Sequence, residues 1–173
     1  MTMQGDKKNI KPITRYKNLL FFTAGLLALV GGVLIGQDQQ GDAPDFTTTA
    51  GTQYNWHDLK GQWIVLNYFA PWCAPCLREM PELNQFSQSL PDNTRLFVIN
   101  YDRTGVNQAN ALKEKYNIKP EMIISDSVSL LPVKTPPALP ATYIIGPQGT
   151  LAKTIMGEIT EQELNEILSD LQS

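Results

Sequence analysis

Two cysteines set three positions apart, where an apolar run gives way to a helical pattern, constrain this chain more than any other feature of its sequence. The run is residues 62–70, rich in β-branched and aromatic side chains and bounded by Gly61 and Pro71, and it has the character of a buried strand. It leads into Pro71-Trp72-Cys73-Ala74-Pro75-Cys76, which holds both cysteines of the chain. Beyond them, apolar residues recur at Leu77, Met80, Leu83 and Phe86, a spacing that predicts a helix opening at or just after Cys73. A strand delivers the cysteines and a helix begins on them.

The first turn of a helix has unpaired N–H groups and a partial positive charge, and both favour a thiolate over a thiol. A free cysteine titrates near about 8.5 and falls to roughly 3.5–7.5 in such settings, so Cys73 is the expected nucleophile. Cys76 lies almost one turn further in, on the same face and within bridging distance, and is the expected resolving thiol. Pro75 removes an N–H that the helix start leaves unpaired in any case and stiffens the loop. A zinc site would need a second ligand pair; no further cysteine exists, and the one histidine, His57, lies upstream in a polar turn, where it reads as a solvated residue. A purely structural disulfide across so short a loop would constrain the unfolded chain little. The chemistry that fits is a redox-active Cys73–Cys76 pair with no metal and no other cofactor.

The front of the chain is different in kind. Lys7, Lys8, Lys11, Arg15 and Lys17 precede residues 19–36, which carry no charge and nothing more polar than Thr23. At about 1.5 Å per residue that is about 27 Å of helix, enough to cross a bilayer. Basic residues before it and Asp38, Asp42 and Asp45 after it place the N-terminus inside and the remainder outside. The alternative, a cleaved signal peptide, has a shorter apolar core of about 7–15 residues and a small-x-small site; Gln37-Asp38-Gln39-Gln40-Gly41-Asp42 supplies no such site. The expected organisation is a cytoplasmic basic segment over 1–18, a transmembrane anchor over 19–36, a polar linker over 37–50 and a catalytic domain over 51–173, outside the cytoplasm on a single-pass inner-membrane protein. Residues 1–36 hold five basic residues and one acidic, and residues 37–173 nine basic and sixteen acidic. An acidic exported domain has no electrostatic reason to bind nucleic acid or anionic lipid heads.

Residues 52–56 read as a short edge strand. Residues 94–101 form a second buried strand, parallel to the first because a helix crosses between them. Val106, Ala109, Leu112 and Tyr116 are spaced as on a helix. Residues 121–125 are a short strand candidate, and 127–140 hold too many prolines for regular structure. Residues 141–146 and 150–156 form a hairpin around Pro147-Gln148-Gly149. Thr160 and Glu163 make a capping box ahead of a last helix with Leu164, Ile167, Leu168 and Leu171 on one side.

Strand, Trp-Cys-x-x-Cys and a helix with Pro81 five places after the second cysteine resemble a thioredoxin fold. More closely, Asn67-Tyr68-Phe69-Ala70-Pro71-Trp72-Cys73-Ala74-Pro75-Cys76-Leu77-Arg78-Glu79-Met80-Pro81 is similar to the membrane-anchored TlpA/ResA/DsbE (CcmG) group of thiol–disulfide oxidoreductases. The resemblance extends over roughly residues 43–171. It implies an α/β thioredoxin-like fold, a central mixed β-sheet flanked by helices on both faces. It implies a cis-proline at Pro140, after Leu139, beside the cysteines, where an extended substrate strand can be received. It also implies a functional acid at Glu79, which, if buried, would have a raised pKa and shuttle the proton of Cys76. Asn67 stands where cytosolic thioredoxins have a buried aspartate, which moves that proton role to Glu79. Trp72 is assigned packing and contact.

By the same resemblance the activity is thiol–disulfide exchange, with exported substrate proteins that carry disulfides, apocytochrome c cysteines in cytochrome c maturation among them, and a membrane electron donor of the DsbD/CcdA kind. Two other classes fit less well. A peroxiredoxin-like peroxidase would need P-x-x-x-[TS]-x-x-C ahead of a cysteine, and a copper chaperone of the Sco kind would need a histidine after the pair; neither is present.

Overall fold

The computed structural model describes residues 43–125 and 130–173. Its centre is strand β3 (Trp63–Phe69), whose residues from Ile64 onward are all buried. A strand covered on both faces must be apolar almost throughout rather than alternating, which is why residues 62–70 read as one continuous run. On one side β3 pairs in parallel with β4 (Thr94–Asn100), and β4 in parallel with β5 (Glu121–Ile123). On the other it pairs antiparallel with β6 (Ala141–Ile145), and β6 antiparallel with β7 (Leu151–Met156). The sheet therefore runs β5-β4-β3-β6-β7, mixed as expected. The β6–β7 turn closes through Gly149, whose φ of +77° suits a residue without a Cβ, and its N–H donates to the Gly146 carbonyl at 2.8 Å.

Helix α1 (Ala74–Phe86) follows β3, α2 (Val106–Lys115) follows β4, and α3 (Glu161–Gln172) follows β7. The capping box opens α3 as predicted: Thr160 Oγ1 accepts from the Glu163 N–H at 3.2 Å, and Glu163 Oε2 accepts from the Thr160 N–H at 2.9 Å. Pro81 lies inside α1 on its exposed side, and the helix continues to Phe86.

Alternation along the strands makes two cores. Val65 and Phe69 of β3 join Leu96, Val98, Met122 and Ile144 in a core with the buried residues of all three helices. Ile64, Leu66 and Tyr68 point to the opposite face, with Phe97, Ile99, Ile123 and Tyr143. The expectation of helices on both faces is corrected here: among the described residues no α-helix joins this second core. Its cover is β1 (Phe46–Thr47), β2 (Gln53–Tyr54), a 3-10 turn over Trp56–Leu59, and Leu131, Val133 and Leu139 of the irregular segment before β6. Phe46 makes the seal, its ring 5.1 Å from Tyr54, 4.9 Å from Trp56 and 5.3 Å from Phe97.

Phe46 and Thr48 therefore correct the linker boundary. Both fall in the stretch read as linker, yet both are buried, and the Thr49 N–H donates to the Met122 carbonyl beside β5. The packed domain begins by Asp45 rather than at 51, because Phe46 is needed to cover a face that no described α-helix covers. The strand expected over 52–56 shortens to Gln53–Tyr54 and pairs with β1. His57 stands exposed on the 3-10 turn, its Nε2 2.8 Å from Asp58 Oδ1. No helix among the described residues is long and apolar enough to cross a membrane; the anchor expected at 19–36 lies outside them.

Candidate active site

The chain leaves β3 at Phe69 and turns at once into α1, so the cysteines sit at the C-terminal end of the central strand, where ligands of open α/β sheets gather. Cys73 is the N-cap residue of α1 and Pro75 lies in its first turn. The two cysteines are joined as a disulfide with their Cα atoms 5.3 Å apart. The Cys76 N–H donates to Cys73 Sγ at 3.2 Å, so an amide at the positive end of the helix points at the sulfur assigned as nucleophile. An amide donor and the helix terminus together favour the thiolate once the bond is opened. Cys76 is fully buried and Cys73 is 5% exposed. Cys73 lines a groove at the start of the helix.

That groove, of about 580 Å³, is walled by Trp72 and Pro75 on one side and by Tyr101, Pro137, Ala138 and Leu139 on the other. Among the described residues no charged one lines it. Trp72 lines the groove and is 65% exposed. Its indole N–H donates to Asp102 Oδ2 at 2.8 Å, and its ring meets Tyr101 edge-on at 6.2 Å. The Leu139–Pro140 peptide is cis, and Pro140, itself buried, accepts through its carbonyl from the Gly157 N–H at 2.9 Å.

Behind the cysteines lies a buried polar cluster. Glu79, one turn beyond Cys76 on the same buried side of α1, is 2% exposed. Asn67 of β3 donates from Nδ2 to Glu79 Oε1 at 2.8 Å and to Thr142 Oγ1 at 3.0 Å, and the Ile159 N–H donates to Glu79 Oε2 at 3.1 Å. Asn67 and Thr142 are wholly buried and directly opposed in the β3–β6 register. Burial pushes the Glu79 carboxyl up to about 7, against the two hydrogen bonds that favour its charged form; Glu158 nearby adds to the rise. Glu158 is itself paired with Arg78 at 2.5 Å. A carboxyl that can hold or release a proton near neutral pH thus sits one turn from the resolving cysteine.

The structure brings the candidate site residues together: Cys73, Pro75, Trp72 and Leu139 line the groove, Cys76 is bonded to Cys73, Pro140 follows Leu139 through the cis peptide, and Asn67 lies with Glu79 behind them. Thr142, Tyr101 and Asp102 were not singled out. Tyr101 and Asp102 lie just past the end of β4, level with the cysteine loop, and the rule that sites form at the C-terminal ends of parallel strands would have pointed to them. Thr142 has no such signal, since only the register of β6 on β3 sets it against Asn67. Among the described residues no group of three or more His, Cys, Asp or Glu side chains is placed to hold a metal ion.

Comparison with known proteins agrees with this geometry. The chain is 25% identical over 168 residues to the thiol–disulfide oxidoreductase ResA of Bacillus subtilis, covering 88% of this chain and 93% of that protein. It is 26% identical over 170 residues to a ResA protein of Bacillus cereus, covering 90% and 98%. The fold matches that of StoA from Bacillus subtilis with a TM-score of 0.56 at 23% identity, over 70% of this chain and 92% of that one. It also matches a DsbF homologue from Corynebacterium diphtheriae with a TM-score of 0.58 at 22% identity, over 78% and 89%. The AhpC/TSA family model matches residues 40–154. A strand that ends on a cysteine pair, a thioredoxin-like sheet and this match lead to one conclusion: the chain belongs to the AhpC/TSA family and is a thiol–disulfide oxidoreductase acting through Cys73 and Cys76.

Proposed function

We propose that this enzyme is an exported, membrane-tethered reductase of protein disulfides. The observation that carries the reading is the pairing of one sulfur that accepts an amide N–H at a helix start with a second, fully buried sulfur one turn from a buried carboxyl. The reduced Cys73 thiolate attacks one sulfur of a substrate disulfide, forming a mixed disulfide and releasing the other sulfur as a thiolate that takes up a proton. Cys76 gives its proton to Glu79 and attacks Cys73 Sγ. The Cys73–Cys76 bond forms, the mixed disulfide breaks, and the substrate leaves as a dithiol, two electrons richer. The uncharged groove beside Pro140 receives an extended segment of the substrate.

Exported compartments are oxidising, so a reductase there must be recharged. A membrane dithiol donor of the DsbD/CcdA kind returns two electrons by the reverse exchange. Residues 19–36 anchor the chain with residues 1–18 in the cytoplasm, the rest of the polar linker spaces the domain from the bilayer, and the substrates include apocytochrome c cysteines awaiting haem.

The test is capture. Cys76→Ser leaves the nucleophile without its resolving partner, so the variant expressed with the full chain in a membrane accumulates mixed disulfides through Cys73. Recovery of exported cysteine pairs, apocytochrome c among them, supports the reading. Absence of trapped partners in this variant, or an unsubstituted chain that passes its Cys73–Cys76 bond to reduced substrates, overturns it.

A further inference from the structure

Asn67 Oδ1 is buried and accepts no hydrogen bond, although both N–H bonds of the same amide are used. Unpartnered buried acceptors are uncommon in folded proteins and call for a reason. The reason lies in what Glu79 meets on each side. In the ionised state its two oxygens face two donors, Asn67 Nδ2 and the Ile159 N–H, which suits a carboxylate. Once protonated, Glu79 carries an O–H that needs an acceptor. The Ile159 N–H is backbone and is fixed, whereas the Asn67 amide exchanges Nδ2 for Oδ1 by a half-turn about its last torsion with almost no change of shape. The Thr142 hydroxyl, both donor and acceptor, follows by rotating.

We infer that Asn67 is a positioning residue that reverses with Glu79: its amide donates to the carboxylate and, turned over, accepts from the neutral acid, with Thr142 completing the cradle in both states. The present unpartnered Oδ1 is the acceptor held for the second state. The charged group that acts on Glu79 is Glu158, paired with Arg78; Cys73 and Cys76, joined as a disulfide, do not titrate. β3 and β6 present only the uncharged Asn67 and Thr142 to it. An amide in that place can donate to the carboxylate and accept from the neutral acid without the acid moving, which an apolar residue cannot do. The inference deepens the proton-carrier reading of Glu79 and rests on it for its purpose, but the test below reads the cradle alone.

The oxidised full-length chain, isotope-labelled and held in mild detergent, is titrated by NMR between pH 5 and 9 while the Glu79 carboxyl carbon is followed. Cross-relaxation between the Asn67 Nδ2 protons and the Glu79 side-chain protons is expected above the Glu79 midpoint and is lost below it. In Asn67→Leu the midpoint moves by less than about one pH unit, because a partner is removed from both forms. A fixed donor, lost from the charged form only, would raise it by about one unit or more. Unchanged cross-relaxation across the midpoint, a rise of that size, or a Glu79 that does not titrate in this range overturns the inference; the cross-relaxation needs no variant to fold. If instead the amide turns as expected while Glu79→Gln leaves the pH dependence of turnover unaltered, the cradle stands and the proton-carrier reading falls.

Discussion

The two faces of the sheet are built from the same strands and do different work. Successive residues of β3 point in opposite directions, so Ile64, Leu66 and Tyr68 enter one core while Val65, Asn67 and Phe69 enter the other. The face sealed by Phe46, Tyr54 and Trp56 is packed with rings and aliphatic side chains, and its buried hydroxyl at Tyr68 is pushed up to about 12 by burial and by Tyr143, out of any working range. The helical face holds both cysteines and a carboxyl whose proton is poised near neutrality. What separates them is the cover. A helix start brings donors and a positive end to the reactive face, and the other is covered chiefly by aromatic rings.

The largest effect should come from the helical face. Cys73→Ser removes the attacking sulfur, and disulfide reduction measured on an insulin-type substrate is expected to vanish while thermal unfolding of the variant stays cooperative. Activity retained in that variant would detach function from the helical face altogether. Next, Phe97→Ala on the aromatic face should cost about 3–5 kcal/mol in denaturant unfolding, as for other fully buried aromatic side chains. The pH dependence of turnover per folded molecule should be unmoved; a shifted profile would mean that the faces are not independent.

A smaller effect is expected at Glu79, with a defined sign. The folded protein holds this proton up to about 7, against an ordinary value of 4.5. Between those values the folded state binds the proton and the unfolded state does not, so stability falls as pH rises through that window, by roughly 3 kcal/mol in all. Glu79→Gln should abolish that fall, be the more stable protein at pH 8, and lose the rise in turnover with pH around neutrality. Equal pH slopes in the two proteins would show Glu79 to be an ordinary carboxylate.

Local patterns carried most of the fold. The β3 run, the cysteine spacing, the α1 periodicity and the Thr160–Glu163 box are each decided by residues within a dozen positions, and each appears where its pattern lies. What could not be read was decided by pairing at a distance. Phe46 looks like a linker residue until β2 and Phe97 are set beside it, and Thr142 looks like a strand residue until the β6 register places it against Asn67. The same holds for the site: Cys73 and Cys76 are legible from spacing, whereas the burial of Glu79 and the acceptor left open on Asn67 depend on the packing of β3, β6 and the segment before α3.

That segment ties the reactive helix to the far end of the chain. Three side chains of α1 grip it in succession: Arg78 holds Glu158, Glu79 accepts from the Ile159 N–H, and Glu82 Oε2 accepts from the Glu161 N–H at 3.1 Å. The residues that lead into and open α3 are therefore held directly by the helix that carries the sulfurs. A substitution at residues 158–161 thus reaches the acid behind the cysteines from a position about 80 residues away in sequence.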